Sequence, residues 1–303
     1  MDELKDGRIE DMKRRRALVQ ALPLACLPLA LMSSSRLHAA EEPLVMGIFP
    51  RNKPAETTTM YTPLANHLSE RLRRKVILAT TRDFDSFSRE VQERRYDIVF
   101  YNQFQYIQSS KSYVVIAHNE EFGRSAVGGA LYVRKDSGIT ELSQLRGRTI
   151  IFGGGRDAML AYIAPLFLLM QAGLGENDFK TVFSVTPPNA AVALSLKQAD
   201  AAGGGDILLD LPVVKKAINT DEIRMLASTE PLLFLPWAVK RTMSVRIREA
   251  IQSAMISLDG NETGQAILAA ARTTGIRRAE DKDYAPHRRM IDAVFSNRVS
   301  PRQ

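Results

Sequence analysis

The stretch TIIFGGGRDAMLAY, residues 149–162, passes from a β-rich run into a helical pattern through three consecutive glycines. The run at 149–152 favours a strand, and the pattern from Ala158 onward favours a helix. Glycine has a high entropic cost of ordering, so a triplet at a strand-to-helix turn needs a reason. The sequence allows two: a tight turn, or a site at which bare backbone N–H groups approach a ligand.

This turn has the properties of an anion-binding site. The first N–H groups of a helix lack intrahelical partners, and the helix dipole adds partial positive charge there. Arg156 would contribute a full positive charge with bidentate geometry at the same place. Under the other interpretation, Gly155 relieves backbone strain and Arg156 points to solvent. The turn alone favours neither interpretation.

Residues 153–158 also match the G-x-G-x-x-A pattern of dinucleotide-binding proteins. That pattern requires an acidic residue at the end of the following strand, which here ends in Ser184, Val185 and Thr186. The sequence has no G-x-x-x-x-G-K-[ST] loop for nucleotide phosphates either. We therefore predict that the protein uses no cofactor.

The chain alternates strand-like and helix-like segments on both sides of the turn. The first unit has strand patterns, separated by helical ones, at residues 44–49, 75–79, 96–101 and 113–118. A second unit repeats this order with strand patterns at residues 126–134, 149–152, 181–185, 199–202 and 224–228. After a return strand at 232–238, the remaining chain reads as helical. This order predicts an α/β fold with mostly parallel sheets flanked by helices.

The first 40 residues have the layout of a secretory signal peptide. A basic cluster at 13–16 precedes an apolar run at 17–32, and small residues at 39–40 provide a cleavage site. We therefore predict export of the chain and removal of residues 1–40. The pattern leaves open whether translation starts at Met1 or Met12, and whether the route is general secretion or twin-arginine export.

Composition excludes several classes of function. The only cysteine, Cys26, lies in the predicted signal, which excludes disulfides, thiolate metal sites and cysteine nucleophiles from the exported chain. His67, His118 and His287 stand apart without metal-ligand spacing, and no catalytic triad or acid–base pair can be assembled. The net charge of +7 is not gathered into a nucleic-acid footprint. We therefore predict no metal, no catalytic residue, no enzymatic activity and no nucleic-acid partner.

Several motifs together carry a resemblance to a known family. They are GIFP at 47–50, YDIVFY at 96–101, VRKDSGITELSQLRGRTI at 133–150 and ADAA at 199–202. With these motifs the chain resembles, over about residues 41–299, the PhnD-like phosphate, phosphite and phosphonate receptors of ABC transporters. The resemblance implies a type II periplasmic binding fold, in which two α/β lobes close on a solute like a clamshell.

The family architecture implies a division of the chain at two crossing strands. The crossings are expected near residues 128–132 and 228–233, where one α/β unit gives way to the other. Lobe one would then comprise residues 41–127 plus 232–303, and lobe two residues 128–231. The two crossing strands would form the hinge for lobe closure.

The residues expected at the ligand combine the resemblance with the general rule that ligands sit beyond the carboxyl ends of the strands. The family's Ser-Thr-Ser-Gly turn corresponds to residues 153–157, and its Ser-His pair to residues 187–189, so both sets of donors differ here. A second glycine triplet, residues 203–205, is expected to line the same cleft. The predicted ligand-binding residues are Arg51, Tyr101, Gly154, Gly155, Arg156, Asp157, Asn189 and Asp206.

The resemblance also implies partners and a location. We expect a monomeric periplasmic receptor that binds a small oxyanion, such as phosphonate, phosphite or phosphate, and delivers it to an ABC permease. Two alternatives stay open: a periplasmic sensor that partners a membrane histidine kinase, and a receptor for a different small polar solute.

Overall fold

The computed structural model describes residues 41–296, so the predicted signal peptide lies outside the described residues. The strands are β1 (Leu44–Ile48), β2 (Val76–Ala79), β3 (Ile98–Phe100), β4 (Tyr113–Glu120), β5 (Ala126–Val127), β6 (Gly129–Arg134), β7 (Thr149–Gly153), β8 (Lys180–Ser184), β9 (Ala201–Gly205), β10 (Ile223–Ser228), β11 (Leu232–Leu233), β12 (Pro236–Lys240) and β13 (Gly275–Arg278). The α-helices are α1 (Pro54–Leu72), α2 (Phe84–Gln92), α3 (Gln103–Ser109), α4 (Ala164–Gln171), α5 (Pro187–Ser195), α6 (Pro212–Ala217), α7 (Val245–Ile256), α8 (Glu262–Ala270) and α9 (Ala285–Ser296). A π-helical turn, Met159–Ile163, leads directly into α4. None of the helices in this part of the chain has the length and apolar character of a membrane span.

A six-stranded sheet in the order β13-β4-β12-β3-β1-β2 forms one half of the molecule, which we call lobe one. Strand β1 is apolar along its length and pairs in parallel with β2 and β3, as expected for a strand covered on both faces. The return strand β12 enters antiparallel between β3 and β4, and β13 adds an antiparallel edge. The sheet is therefore mixed, where the sequence predicted a mostly parallel one.

A five-stranded sheet in the order β10-β6-β9-β7-β8 forms the other half, lobe two. Strand β7 pairs in parallel with β8 and β9, whereas β6 pairs antiparallel with β9 and β10. The first glycine turn lies at the carboxyl end of β7, the end at which open α/β sheets generally bind ligands.

Two short strands join the halves. Strand β5 pairs antiparallel with β11, and the chain enters lobe two directly after β5 and returns directly before β11. Side chains of lobe two hold the entering strand, because the Gly128 N–H donates to Asp206 Oδ2 at 3.0 Å and the Gly129 N–H donates to Thr229 Oγ1 at 3.0 Å. On the basis of these contacts we propose the same lobe boundaries that the sequence predicts.

The last helix contacts both halves. Before α9, the Tyr284 hydroxyl donates to the Phe234 carbonyl at 2.9 Å, and inside α9 the His287 Nε2 lies 3.1 Å from the Leu233 carbonyl. Further along, the apolar face of α9 packs into the core cluster of lobe two, through Met290, Ile291 and Val294. Helix α9 is thus shared between the halves, although its sequence falls in the segment predicted for lobe one.

Candidate functional site

A cleft of about 1130 Å³ lies between the two lobes. Lobe one contributes the segment after β1, the first turns of α1, the start of α2 and the residues that follow β3 and β4. Lobe two contributes the glycine turn after β7, the π-helical turn, the segment between β8 and α5, and the end of β9. Most of these segments follow the carboxyl ends of strands, where open α/β sheets bind their ligands.

Each glycine of the turn at 153–155 has its own structural reason. An added Cβ at Gly153 would lie 2.3 Å from Pro187 Cα, so only glycine lets β7 approach α5 this closely. Gly154 has a φ of +95°, which side-chain-bearing residues rarely adopt. Gly155 has a lighter constraint, since an added Cβ would meet only Asp157 Oδ1, at 3.0 Å. Packing and backbone conformation thus explain the first two glycines, and Gly155 leaves the backbone bare at the cleft.

The helix that follows this turn begins with N–H groups that have no hydrogen-bond partner within residues 41–296. Its first hydrogen bonds run from the Tyr162 and Ile163 N–H groups to the Ala158 carbonyl, at 2.9 and 3.0 Å. The N–H groups of Met159, Leu160 and Ala161 precede these bonds, and all three residues line the cleft. A helix start of this kind offers N–H donors and the positive end of the helix dipole to an anion.

The charged side chains of the cleft largely neutralise one another. Arg51 Nη1 lies 2.8 Å from Glu121 Oε1, and both residues line the cleft. Arg272 also lines it and pairs at 2.8 Å with Glu56, in the first turn of α1. The Asp157 carboxylate accepts a hydrogen bond from Asn102 Nδ2 at 3.5 Å, a contact that bridges the two lobes. The cleft therefore offers no strong excess of positive side-chain charge to a ligand.

Apolar side chains supply much of the remaining wall. Phe49 packs edge-to-face against Phe84, with ring centroids 6.0 Å apart, and both rings line the cleft. Phe122 and Val185 also line it, and they are 59% and 83% exposed. These two side chains leave apolar surface exposed at the cleft on both lobes.

Tyr61 adds a hydroxyl to the lobe-one wall. Burial raises the pKa of Tyr61 well above its usual value of 10, and the nearby Arg51 only partly offsets this effect. The phenol is protonated at neutral pH, so Tyr61 brings a hydrogen-bond donor to the lining of the cleft.

Four of the predicted ligand-binding residues line the cleft: Arg51, Gly154, Gly155 and Asp157. The other four lie outside its lining: Tyr101, Arg156, Asn189 and Asp206. The side chain of each of these four residues has a hydrogen-bond partner in the protein.

Tyr101 is a core residue, which corrects its interpretation as a cleft aromatic. Its side chain is fully buried, and its hydroxyl accepts a hydrogen bond from Ser109 Oγ at 3.1 Å. The ring packs edge-to-face against Tyr106 and Tyr113. The residue immediately after it, Asn102, is the one that reaches the cleft.

Arg156 turns away from the cleft toward the surface of lobe two. Its Nη1 donates to Glu176 Oε1 at 2.6 Å and to the Tyr162 hydroxyl at 2.8 Å. The guanidinium also lies 5.5 Å from the centroid of the Phe183 ring. The Glu176 carboxylate and the rings of Tyr162 and Phe183 thus hold the guanidinium that the sequence predicted to bind the ligand.

Asn189 and Asp206 hold local structure instead. The Asn189 side chain accepts a hydrogen bond from Thr186 Oγ1 at 2.9 Å, in the N-terminal cap of α5. Asp206 accepts from the Gly128 N–H and pairs with Arg124, at the strand that connects the lobes. Both residues fix local backbone geometry, which the sequence pattern alone could not distinguish from ligand contact.

The second glycine triplet is part of strand β9 and not a ligand-binding turn. An added Cβ at Gly203 would lie 2.4 Å from the Ala161 carbonyl oxygen, and one at Gly204 would lie 2.6 Å from Leu208 Cδ2. These glycines let β9 approach the π-helical turn and the segment after the strand. Of the three, Gly205 alone is among the residues that line the cleft.

Sequence reasoning missed several cleft residues, among them Thr57, Tyr61, Phe84, Glu121 and Arg272. Asn102 could have been found, because it lies two residues after β3 and the strand-end rule applies to it. Arg272 carries no such signal, since it follows a helix. Within residues 41–296, no cluster of three or more His, Cys, Asp or Glu residues is arranged to hold a metal ion.

Two α/β lobes around a cleft, joined by a pair of crossing strands, have the architecture of a type II periplasmic binding protein. The family model described as "ABC transporter, phosphonate, periplasmic substrate-binding protein" matches residues 46–284, and the chain belongs to this family. The resemblance read from the sequence is thereby confirmed.

Solved structures share this fold at low sequence identity. XAC2383 from Xanthomonas citri bound to chloride superimposes with a TM-score of 0.71 at 20% identity, covering 85% of this chain and 99% of that one. The same protein bound to ATP gives a TM-score of 0.71 at 18% identity, with 85% and 98% coverage. PhnD1 from Prochlorococcus marinus in complex with methylphosphonate gives 0.68 at 15% identity, with 83% and 98% coverage.

Proposed function

We propose that the protein is the solute receptor of an ABC importer and that its cleft binds a small oxyanion, such as phosphonate, phosphite or phosphate. The observation that carries this proposal is the helix start at Met159–Ile163, whose first N–H groups lack intrahelical partners and belong to cleft-lining residues. Such a site binds an anion without a cationic side chain. The backbone then takes the place of the hydroxyl and imidazole donors expected from the family.

Among these oxyanions, the cleft favours one that carries an organic group. Small-molecule sites typically enclose roughly 300–1,000 Å³, and this cleft of about 1130 Å³ is large for an inorganic ion. Phe49, Phe84 and Phe122 offer apolar surface that an inorganic ion would leave unused. We therefore place alkyl- and arylphosphonates ahead of phosphate and phosphite.

The charge balance of the cleft supports the same order. Arg51 and Arg272 already have carboxylate partners, and Asp157 adds a negative charge beside the glycine turn. A small inorganic dianion would gain little binding free energy from these balanced charges. An organic anion would gain more, because its apolar group is buried against the cleft wall. The related structures with methylphosphonate, chloride and ATP also support an anionic ligand.

Transport requires that ligand binding changes the shape of the receptor. A ligand held between the glycine turn and the wall of lobe one would favour the closed arrangement, with the β5–β11 pair as hinge. The closed receptor would then dock on its permease, as a monomer, and release the ligand without chemical change.

A thermal unfolding series tests this function. The protein is unfolded with phosphate, phosphite, sulfate, methyl-, propyl- and phenylphosphonate, simple carboxylates and uncharged polar solutes. A ligand at about 100 times its Kd adds roughly 2.7 kcal/mol to the stability, which raises the unfolding midpoint. We expect the largest rise with an organic phosphonate. A rise with uncharged solutes and with no oxyanion would contradict the proposal.

A further inference from the structure

Thr57 carries a buried hydroxyl that has no hydrogen-bond partner among the described residues. The residue lies in the first turns of α1, is 1% exposed and lines the cleft. Its backbone N–H donates to the Lys53 carbonyl at 2.9 Å, but its Oγ1 makes no hydrogen bond. Buried polar atoms in folded proteins nearly always have a partner, so an unpaired one at a cleft is a candidate contact for a ligand group.

The neighbouring threonines show that this state is not forced by the helix. Thr58, Thr59 and Thr62 each donate their hydroxyl to the carbonyl four residues earlier, at 2.9, 3.1 and 2.7 Å. All three are exposed, where water could have served equally well. Among the threonines of α1, Thr57 alone does not donate its hydroxyl to a helix carbonyl, and Thr57 alone lines the cleft.

Other donors surround the same part of lobe one. Tyr61 lies one helical turn further along α1, lines the cleft and carries a protonated hydroxyl. The Arg51 guanidinium also lines this wall, with its charge matched by Glu121. Three hydrogen-bond donors therefore line the lobe-one wall of the cleft, and this wall carries no net positive charge.

We propose that Thr57, with Tyr61 and Arg51, forms a second polar subsite that takes a neutral oxygen, a hydroxyl or carbonyl, on the organic group of the ligand. This inference rests on the proposed function, because it places the oxyanion on lobe two and the neutral oxygen on lobe one. The oxygen is neutral because carboxylates already compensate the arginine charges on this wall. A ligand of this kind would bridge the two lobes through its two ends.

The unpaired hydroxyl would make the receptor selective. A ligand with an oxygen at this position pairs the buried hydroxyl, whereas an alkyl group of the same size leaves it unsatisfied. Sites built to hydrogen-bond a ligand hydroxyl discriminate strongly against analogues that lack it, for this reason. Thr57 would thus be a specificity-determining residue of the cleft.

The test uses matched ligands and isosteric variants. Hydroxyalkylphosphonates with two to four carbons are titrated calorimetrically against alkylphosphonates in which a methyl group replaces the hydroxyl. The proteins are the wild type, Thr57→Val, Thr57→Ser and Thr59→Val. Thr59→Val is the matched control, because the Thr59 hydroxyl of the wild type bonds to its own helix. We expect the wild type to bind a hydroxylated phosphonate about tenfold more tightly than its alkyl match.

In Thr57→Val this preference should vanish, while Thr57→Ser and Thr59→Val should keep it. An equal preference in the wild type and Thr57→Val would overturn the subsite and leave the oxyanion receptor intact. If the wild type bound no phosphonate of either series, the proposed function would fail first, and the subsite would fall with it. The unliganded proteins provide a second readout, because Thr57→Val removes an unpaired buried hydroxyl and should not lower the unfolding midpoint.

Discussion

Asp157 places a carboxylate at the glycine turn that we propose for the oxyanion. It lines the cleft on lobe two, and its carboxylate accepts a hydrogen bond from Asn102 Nδ2 of the opposite lobe at 3.5 Å. A negative charge next to a bound anion weakens binding, so we expect this residue to limit the affinity of the proposed site. The same contact with Asn102 links the two lobes.

Replacing Asp157 with Asn should therefore strengthen oxyanion binding. The amide oxygen still accepts from Asn102, and the like-charge repulsion is removed. We expect about a fivefold lower Kd, or about 1 kcal/mol, for a phosphonate measured by calorimetry at low salt. Asp210→Asn is the control, because Asp210 is exposed and pairs with Lys215 outside the cleft lining. Weaker binding in Asp157→Asn would show that the carboxylate contacts the ligand favourably.

At this scale the sequence predicts residue types well and side-chain directions poorly. Arg156 stands in the turn that the sequence singled out, yet a carboxylate twenty positions later, Glu176, holds its guanidinium. Tyr101 and Asn102 are neighbours at one strand end, and only the alternation of the backbone decides which of them reaches the cleft. Such outcomes depend on partners that are distant in sequence.

The contact between strand β9 and the π-helical turn shows how an element can use glycine for packing alone. Gly203 faces the Ala161 carbonyl and the Phe152 ring at distances that leave no room for a Cβ. Any side chain there would push β9 away from the helix start that we propose for the oxyanion. Gly203 thus supports the proposed site through packing.

Gly203→Ala should destabilise the protein without touching a ligand. The added Cβ would meet a backbone oxygen at 2.4 Å, and overpacking of this kind typically costs about 1–3 kcal/mol or more. Chemical unfolding of Gly203→Ala and of Gly260→Ala measures the effect, because an added Cβ at Gly260 has no atom within 4 Å. Equal stability of the two variants would mean that β9 has room that the structure does not show.

Elements with continuous apolar runs were predictable, and those without them were not. Strand β3 lies within the YDIVFY motif, and β1 and β7 fall close to their predicted bounds. Strand β13, with the sequence GIRR, and the six-residue helix α6 carry too little apolar pattern to be recognised. Strand β13 forms by pairing with β4, and such a tertiary contact leaves no signal in the local sequence.

On the scale of the whole molecule, His287 lies where both lobes and the crossing strand meet. It belongs to α9, bonds to the Leu233 carbonyl of β11 and packs against the Tyr284 ring. Burial lowers the pKa of His287 from 6.5 to about 4, partly opposed by the bond to Leu233 and aided by Arg288. The imidazole is therefore neutral in the folded protein at the pH of most environments.

This pKa shift predicts a loss of stability in acid. The unfolded chain takes up the proton near pH 6.5, whereas the folded protein resists it down to about pH 4. The contribution is thus fully present above pH 6.5 and declines as pH falls, by about 3 kcal/mol in total. Denaturant unfolding from pH 7 to 4 should show a steeper decline for the wild type than for His287→Gln. Parallel curves would contradict a neutral buried histidine.

The overall architecture was the most predictable level, because many weak local signals agree on it. The order of strands and helices indicated an α/β fold, and the motifs indicated the family, which the match over residues 46–284 confirms. The position of α9 was not predictable, since its apolar face is equally consistent with either lobe. The core cluster of lobe two shows which contact the helix makes.

The central claim is that an organic oxyanion binds at the glycine turn between the lobes. A crystal structure of the protein grown with propylphosphonate tests it most directly. We expect the phosphonate oxygens within hydrogen-bond distance of the N–H groups of Gly155 and of Met159 to Ala161, and the propyl group against the wall of lobe one. A phosphonate bound only at surface arginines, or a cleft that stays empty at saturating ligand, would contradict the account.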